Sequence, residues 1–119
     1  MLAQLDTLDI KSLMSGVEDF VGVFPSDKLP PYISPTSAIK MIVNIDPSTM
    51  EGSHWVAIYR QPHTRIGYYF DTYGLPPPPR IHHWLAANCV HWRNFEKRIQ
   101  SFNDRVSCGY ICMEFLKKL

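Results

Sequence analysis

The chain has 119 residues, 45% of them apolar, with 12 basic and 11 acidic side chains for a formal net charge of +1. This is the length of one domain with enough apolar content for a core, and so even a charge balance gives no strong argument for nucleic acid. No apolar run approaches the roughly 20 residues that cross a bilayer. The opening MLAQLDTLDIKSLMSG lacks the cationic start, apolar stretch and small-residue cleavage site of a secretory signal.

In chain order, Leu8 to Ser15 reads as a short helix, with Asp6 or Thr7 as cap and Gly16 as stop. FVGVFPSDKLPPYISPTS carries Pro25, Pro30, Pro31 and Pro35, so it reads as an irregular or short-strand connection. AIKMIVNID is a β-branched apolar run ended by Pro47, hence a strand. PSTMEGS is a turn, HWVAIYR the next strand, QPHT a hairpin loop and RIGYYFDTYG the returning strand. The three strands are expected to form a mostly antiparallel sheet. The four prolines of LPPPPR make an extended connection. RIHHWLAANC reads as a helix of two or three turns, NFEKRIQSF as a further strand and NDRVS as a loop. CGYICMEFLKKL fits a largely buried helix whose two lysines suit its C-terminal end. The expected class is α+β: one domain over residues 1–119, with a central sheet packed against the C-terminal helix.

Four residues stand where chemistry is done: His54 at a strand start, Asp71 near the end of the next strand, Gln100 near a strand end and Cys108 at a helix start. At a helix N-terminus the unpaired N–H groups and the dipole favour a thiolate. Neutral imidazole accepts the thiol proton, and an acidic partner fixes its tautomer. If HWVAIYR and IGYYFDT pair antiparallel across a hairpin at QPHT, His54 and Asp71 meet at the open end. Gln100 and the main-chain N–H of Cys108 are then the donors for a tetrahedral oxyanion. Gly109 leaves room for substrate beside the sulfur.

Each residue also has a plainer reading. His54 alone is a hydrogen-bonded structural histidine, Asp71 a turn residue, Gln100 a surface residue and Cys108 a small core residue. Their order and spacing favour the site. Cys112, one turn inside the helix, reads as core, and Trp55, Tyr68, Phe70 and Tyr73 as core or groove packing. Cys108 and Cys112 lack the second Cys or His pair of a zinc site, and the neighbouring His82 and His83 point apart on a helix, with His91 further on, so no metal is expected. An odd number of cysteines, Cys89, Cys108 and Cys112, without a secretory signal points to free thiols in a reducing, intracellular compartment.

GSHWVAIY, YYFDTYG, IQSF and SCGYIC resemble the signature of adenain-type cysteine proteases, the adenovirus-like processing peptidases more distantly related to SUMO proteases. The order His, Asp or Glu, Gln, Cys matches, and FVGVFPSDKLPPYISP resembles the family's segment before its first sheet strand. The resemblance implies a minimal papain-related fold and a thiol endopeptidase that matures viral or mobile-element structural precursors at small residues, often glycine. His54 would be the base, Asp71 its orienter, Cys108 the nucleophile and Gln100 the oxyanion donor, with Trp55 walling a narrow substrate channel. Gln100 lies eight positions before Cys108, longer than the usual gap, which leaves Asn103 as a substitute donor. Ser107 stands where SUMO proteases have Asp, which favours the viral or transposon branch. The resemblance further implies no small-molecule cofactor but an activating peptide or DNA, with Cys89 as the thiol that would pair with such a peptide; an inert thiol is the plainer reading. The host nucleus or cytoplasm, or a virion, would be the location. The C-terminal helix carries Tyr110, Ile111, Met113, Phe115 and Leu116, an apolar set too broad for one face, so self-association or a covering partner is expected there. The alternatives are a SUMO- or ubiquitin-like isopeptidase and a non-catalytic, capsid-associated module of the same fold.

Overall fold

The computed structural model describes residues 5–31, 34, 36–45, 54–94 and 108–119. Helix α1 (Thr7–Leu13) begins at Asp6, whose carboxylate accepts the Asp9 N–H at 2.8 Å while Asp9 accepts the Asp6 N–H at 3.0 Å. This reciprocal cap satisfies two donors that a helix start leaves open. The strands are β1 (Phe20–Pro25), β2 (Ile39–Asn44), β3 (Trp55–Arg60), β4 (Ile66–Phe70) and β5 (His91–Asn94). Helix α2 (Pro79–Asn88) follows β4, and α3 (Cys108–Lys117) closes the described chain. β1 falls within the Pro-rich connection expected to be irregular or to hold a short strand. β5 begins before the expected strand NFEKRIQSF, and of that segment only Asn94 lies within the described residues.

The five strands form one sheet in the order β1-β2-β3-β4-β5. The three central strands pair antiparallel, as expected. Both outer pairings are parallel, so the sheet is mixed rather than mostly antiparallel. The reason is topological. β1 and β5 reach their neighbours through long connections, α2 included, and a crossover of a dozen or more residues permits a parallel partner. The Cα radius of gyration, 13.3 Å, is what one compact domain of this length gives, about 13–14 Å.

Side chains alternate across the sheet and build two apolar layers. One face carries Ile42, Trp55, Ala57 and Phe70 against Ile10 and Met14 around α1 and Cys112, Met113 and Leu116 of α3. The other carries Met41, Val43, Ile58 and Tyr69 against Ile81, Trp84 and Leu85 of α2. Helices therefore cover both faces, which is why β2 is buried along nearly its whole length. No apolar residue within α3 is exposed: Tyr110, Ile111 and Phe115 are half-buried against the same layer, and the Phe115 ring stacks on Phe70 at 4.4 Å. The bare second face expected for this helix is thus largely filled, in part by α1. Among the described residues no helix is long and apolar enough to cross a membrane.

Candidate active site

One end of the sheet gathers the end of β2, the start of β3 and the end of β4. His54 immediately precedes β3, and its carbonyl accepts the Ile45 N–H at 3.1 Å, which carries the β2–β3 ladder one step further. β3 and β4 pair with Ala57 opposite Phe70. Carried three residues on, that register sets position 54 across from 73, with Asp71 between. The hairpin alone therefore brings His54 to Asp71, as the sequence predicts. The imidazole Nε2 lies 2.6 Å from Asp71 Oδ1, with both residues buried. A carboxylate can only accept, so Nε2 carries the proton and Nδ1 faces away.

A tight turn holds the carboxylate. Asp71 Oδ1 also accepts the Tyr73 N–H at 2.9 Å, and the Asp71 carbonyl accepts the Gly74 N–H at 2.9 Å. Gly74 closes the turn with φ +73°, a conformation that glycine adopts without a Cβ penalty. The Tyr73 ring stacks on the imidazole, with centroids 4.4 Å apart and planes 15° from parallel. Sequence reasoning placed Tyr73 among packing residues. Its position two after Asp71, opposite His54 in register, was the signal that could have singled it out.

Cys108 opens α3, where the first N–H groups have no partner within the helix. Two contacts set the helix against the start of β3. The Cys112 thiol, one turn along, donates to the Trp55 carbonyl at 3.4 Å. A Cβ placed on Gly109 would meet the Trp55 indole at 3.3 Å and Leu5 at 3.1 Å, so glycine permits this close approach. Here the expected roles change. Trp55 is 4% exposed and belongs to the core, and Gly109 is buried against it rather than open to substrate. Both residues set α3 in place; neither walls an open channel.

The site has a distinct electrostatic character. Burial disfavours a charged imidazole, yet the hydrogen bond to Asp71, the nearby Cys108 thiol and the negative charge of both raise the His54 pKa from 6.5 to about 9. His54 Nδ1 is buried and, among the described residues, has no hydrogen-bond partner of good geometry. Cys108 is thus near enough to act on the ring without a formed bond to it. Cys112 is fully buried, and desolvation first, then the negative charge at Cys108 and Asp71, pushes its thiol well above the usual range. It is inert core, as expected. Gln100, Asn103 and Ser107 lie outside the described residues.

Cys89 sits on the other face of the sheet, among the α2 layer. It is 6% exposed, and a Cβ on Gly67 would come within 2.5 Å of its sulfur. Burial pushes this thiol up, against the opposing effect of Arg60 and Arg65. A protonated, enclosed thiol is poorly placed to exchange with a peptide. Among the described residues no group of three or more His, Cys, Asp or Glu could hold a metal ion. Comparison of the sequence with family models finds no match, and comparison with curated proteins finds none either.

Proposed function

We propose that this chain is a cysteine endopeptidase of the adenain type. The observation that carries the reading is a buried imidazole bonded through Nε2 to Asp71, with Nδ1 unpartnered among the described residues and the Cys108 thiol close by at a helix start. In this reading His54 Nδ1 takes the thiol proton, and the imidazolium is held by Asp71. The sulfur attacks the scissile carbonyl carbon, and a C–S bond forms as the carbonyl π electrons move to oxygen. The main-chain N–H of Cys108 and the Gln100 amide donate to that oxyanion. Collapse breaks the C–N bond, and the leaving amine takes the proton from Nδ1. His54 then deprotonates a water that attacks the thioester, and the sulfur leaves. Cys108 is 2% exposed, so the side chains over the sulfur must move aside before a substrate carbonyl can reach it.

The substrates proposed are structural precursor proteins of a virus or mobile element, cut beside small residues. The test is labelling of purified protein with a short Gly-containing peptide that carries an electrophile, together with hydrolysis of the matching peptide and of ubiquitin-like C-terminal esters. Labelling at Cys108 with peptide turnover is expected. Turnover of the esters alone would move the reading to an isopeptidase. Failure to label Cys108, with and without candidate activating peptide or DNA, would make the chain a non-catalytic module.

A further inference from the structure

We propose that Tyr73 is the positioning residue of the His54–Asp71 pair, holding the imidazole with its ring and the carboxylate with its main chain. The inference deepens the peptidase reading, and its kinetic arm rests on that reading, but its titration arm does not. A plain turn after β4 needs only Gly74 and the Asp71 carbonyl. Tyr73 adds two contacts that such a turn does not require. Its N–H donates to Asp71 Oδ1 at 2.9 Å, the same oxygen that lies 2.6 Å from His54 Nε2. Its ring covers one face of the imidazole at 4.4 Å and 15°. One residue therefore fixes both partners, and the turn fixes the spacing of its own two contacts.

Two physical consequences follow. The imidazole can tip about its Cβ–Cγ bond only by losing the stack, so Nδ1 stays directed away from Asp71 and toward the thiol side. Free rotation would let either nitrogen bond the carboxylate and would lower the fraction of time in which a base faces Cys108. The aromatic face is also the negative pole of the ring quadrupole, so it stabilises imidazolium over imidazole. Tyr73 is half-buried, while His54 is 5% exposed. The stack thus lies at the edge of a nearly dry site, where such a contact is weakly screened.

The experiment uses the full chain and two readouts, an NMR titration of the His54 ring and peptide kinetics, in wild type, Tyr73→Phe and Tyr73→Leu. Both variants keep the main-chain donor to Asp71; only the second loses the ring. Tyr73→Phe should leave the proton affinity of His54 and the turnover within about twofold of wild type. Tyr73→Leu should lower that proton affinity roughly tenfold and kcat about tenfold, with KM within about twofold. If Tyr73→Leu does not fold, Tyr73→Met fills a similar volume without an aromatic face and carries the same expectation. A folded Leu or Met variant in which His54 titrates as in wild type overturns the proposal and leaves Tyr73 as packing alone. A lowered proton affinity in a protein that cleaves no peptide would instead sink the peptidase reading and leave this inference standing.

Discussion

At one end of the sheet, beside the start of β3, a buried imidazole meets a buried carboxylate at 2.6 Å. On the α2 side a fully buried guanidinium, that of Arg60, is met by main-chain carbonyls: Asn88 at 2.9 Å, Ser37 at 3.0 Å and Ser34. Both arrangements take charge out of water, and both give it hydrogen-bond partners. They differ in what pH can do to them. The guanidinium never loses its proton, and its partners cannot titrate, so Arg60 ties the Pro-rich segment to the C-terminal end of α2, where the helix dipole also favours a cation. The His54–Asp71 pair can exchange a proton, and one ring nitrogen has no hydrogen-bond partner among the described residues. The cysteines repeat the contrast. Burial raises the thiols of Cys89 and Cys112 and keeps them protonated, whereas Cys108 has an imidazole beside it.

The sharpest break in this comparison is at the thiols. Cys108→Ala should abolish peptide hydrolysis and labelling while leaving the melting temperature within a few degrees of wild type. Cys112→Ala should keep activity and lose about 1–2 kcal/mol in urea unfolding, since it removes a core sulfur and its bond to the Trp55 carbonyl. Equal loss of activity in both well-folded variants would show that Cys108 has no special part.

Next in size is Asp71→Asn. The amide keeps the shape of the turn but removes the charge that orients and stabilises the imidazolium, so turnover should fall by about 10³-fold. With the pair in its ionised form as the active one, the wild-type rate should fall as pH rises through about 9. In Asp71→Asn that alkaline limb should move toward neutrality. A pH profile that is the same in both proteins would leave some other group holding the ring.

Arg60→Met probes the other arrangement. It removes a charge that cannot act as an acid or base but leaves buried carbonyls without their donor, so unfolding should cost about 3 kcal/mol less than in wild type. Peptide hydrolysis at a temperature where the variant is folded should stay within about threefold. A stable Arg60→Met with lost activity would mean that the buried guanidinium and the His54–Asp71 pair are coupled.

The last effect is on stability alone. The folded-state pKa of His54, about 9, lies above the unfolded value, so the folded state holds the proton more tightly. The contribution is fully present below about pH 6.5 and is lost as pH climbs through about 9. Unfolding free energies from urea titrations at about pH 6 to about pH 10 should therefore decline, by about 3 kcal/mol in wild type and by much less in Asp71→Asn. A wild-type midpoint that is flat over that range would mean that the pair adds nothing to folding.

The amino-acid sequence by itself determined the local elements and one long-range meeting. Period-two patterning and the breaks at Pro47 and QPHT placed β2 and β3 within a residue or two, because strands and turns answer to nearby residues; β4 starts one residue after the expected RIGYYFDTYG strand but ends at Phe70, since Asp71 to Gly74 form a turn. The approach of His54 to Asp71 was legible for the same reason: a hairpin with a short loop fixes its own register. What only the tertiary structure decided depends on contacts distant in sequence. The parallel pairing of β1 and β5 is set by crossover connections, whose direction no local pattern encodes. The burial of Trp55 and Gly109 against each other follows from where α3 docks, some 50 residues later in the chain; a Trp at a strand start reads the same whether its face meets substrate space or a helix. Arg60 carried no sequence mark of burial, because the carbonyls that hold it come from two distant segments. The Tyr73 stack on His54 likewise needed the turn after Asp71 to be built before an aromatic side chain there meant anything beyond packing.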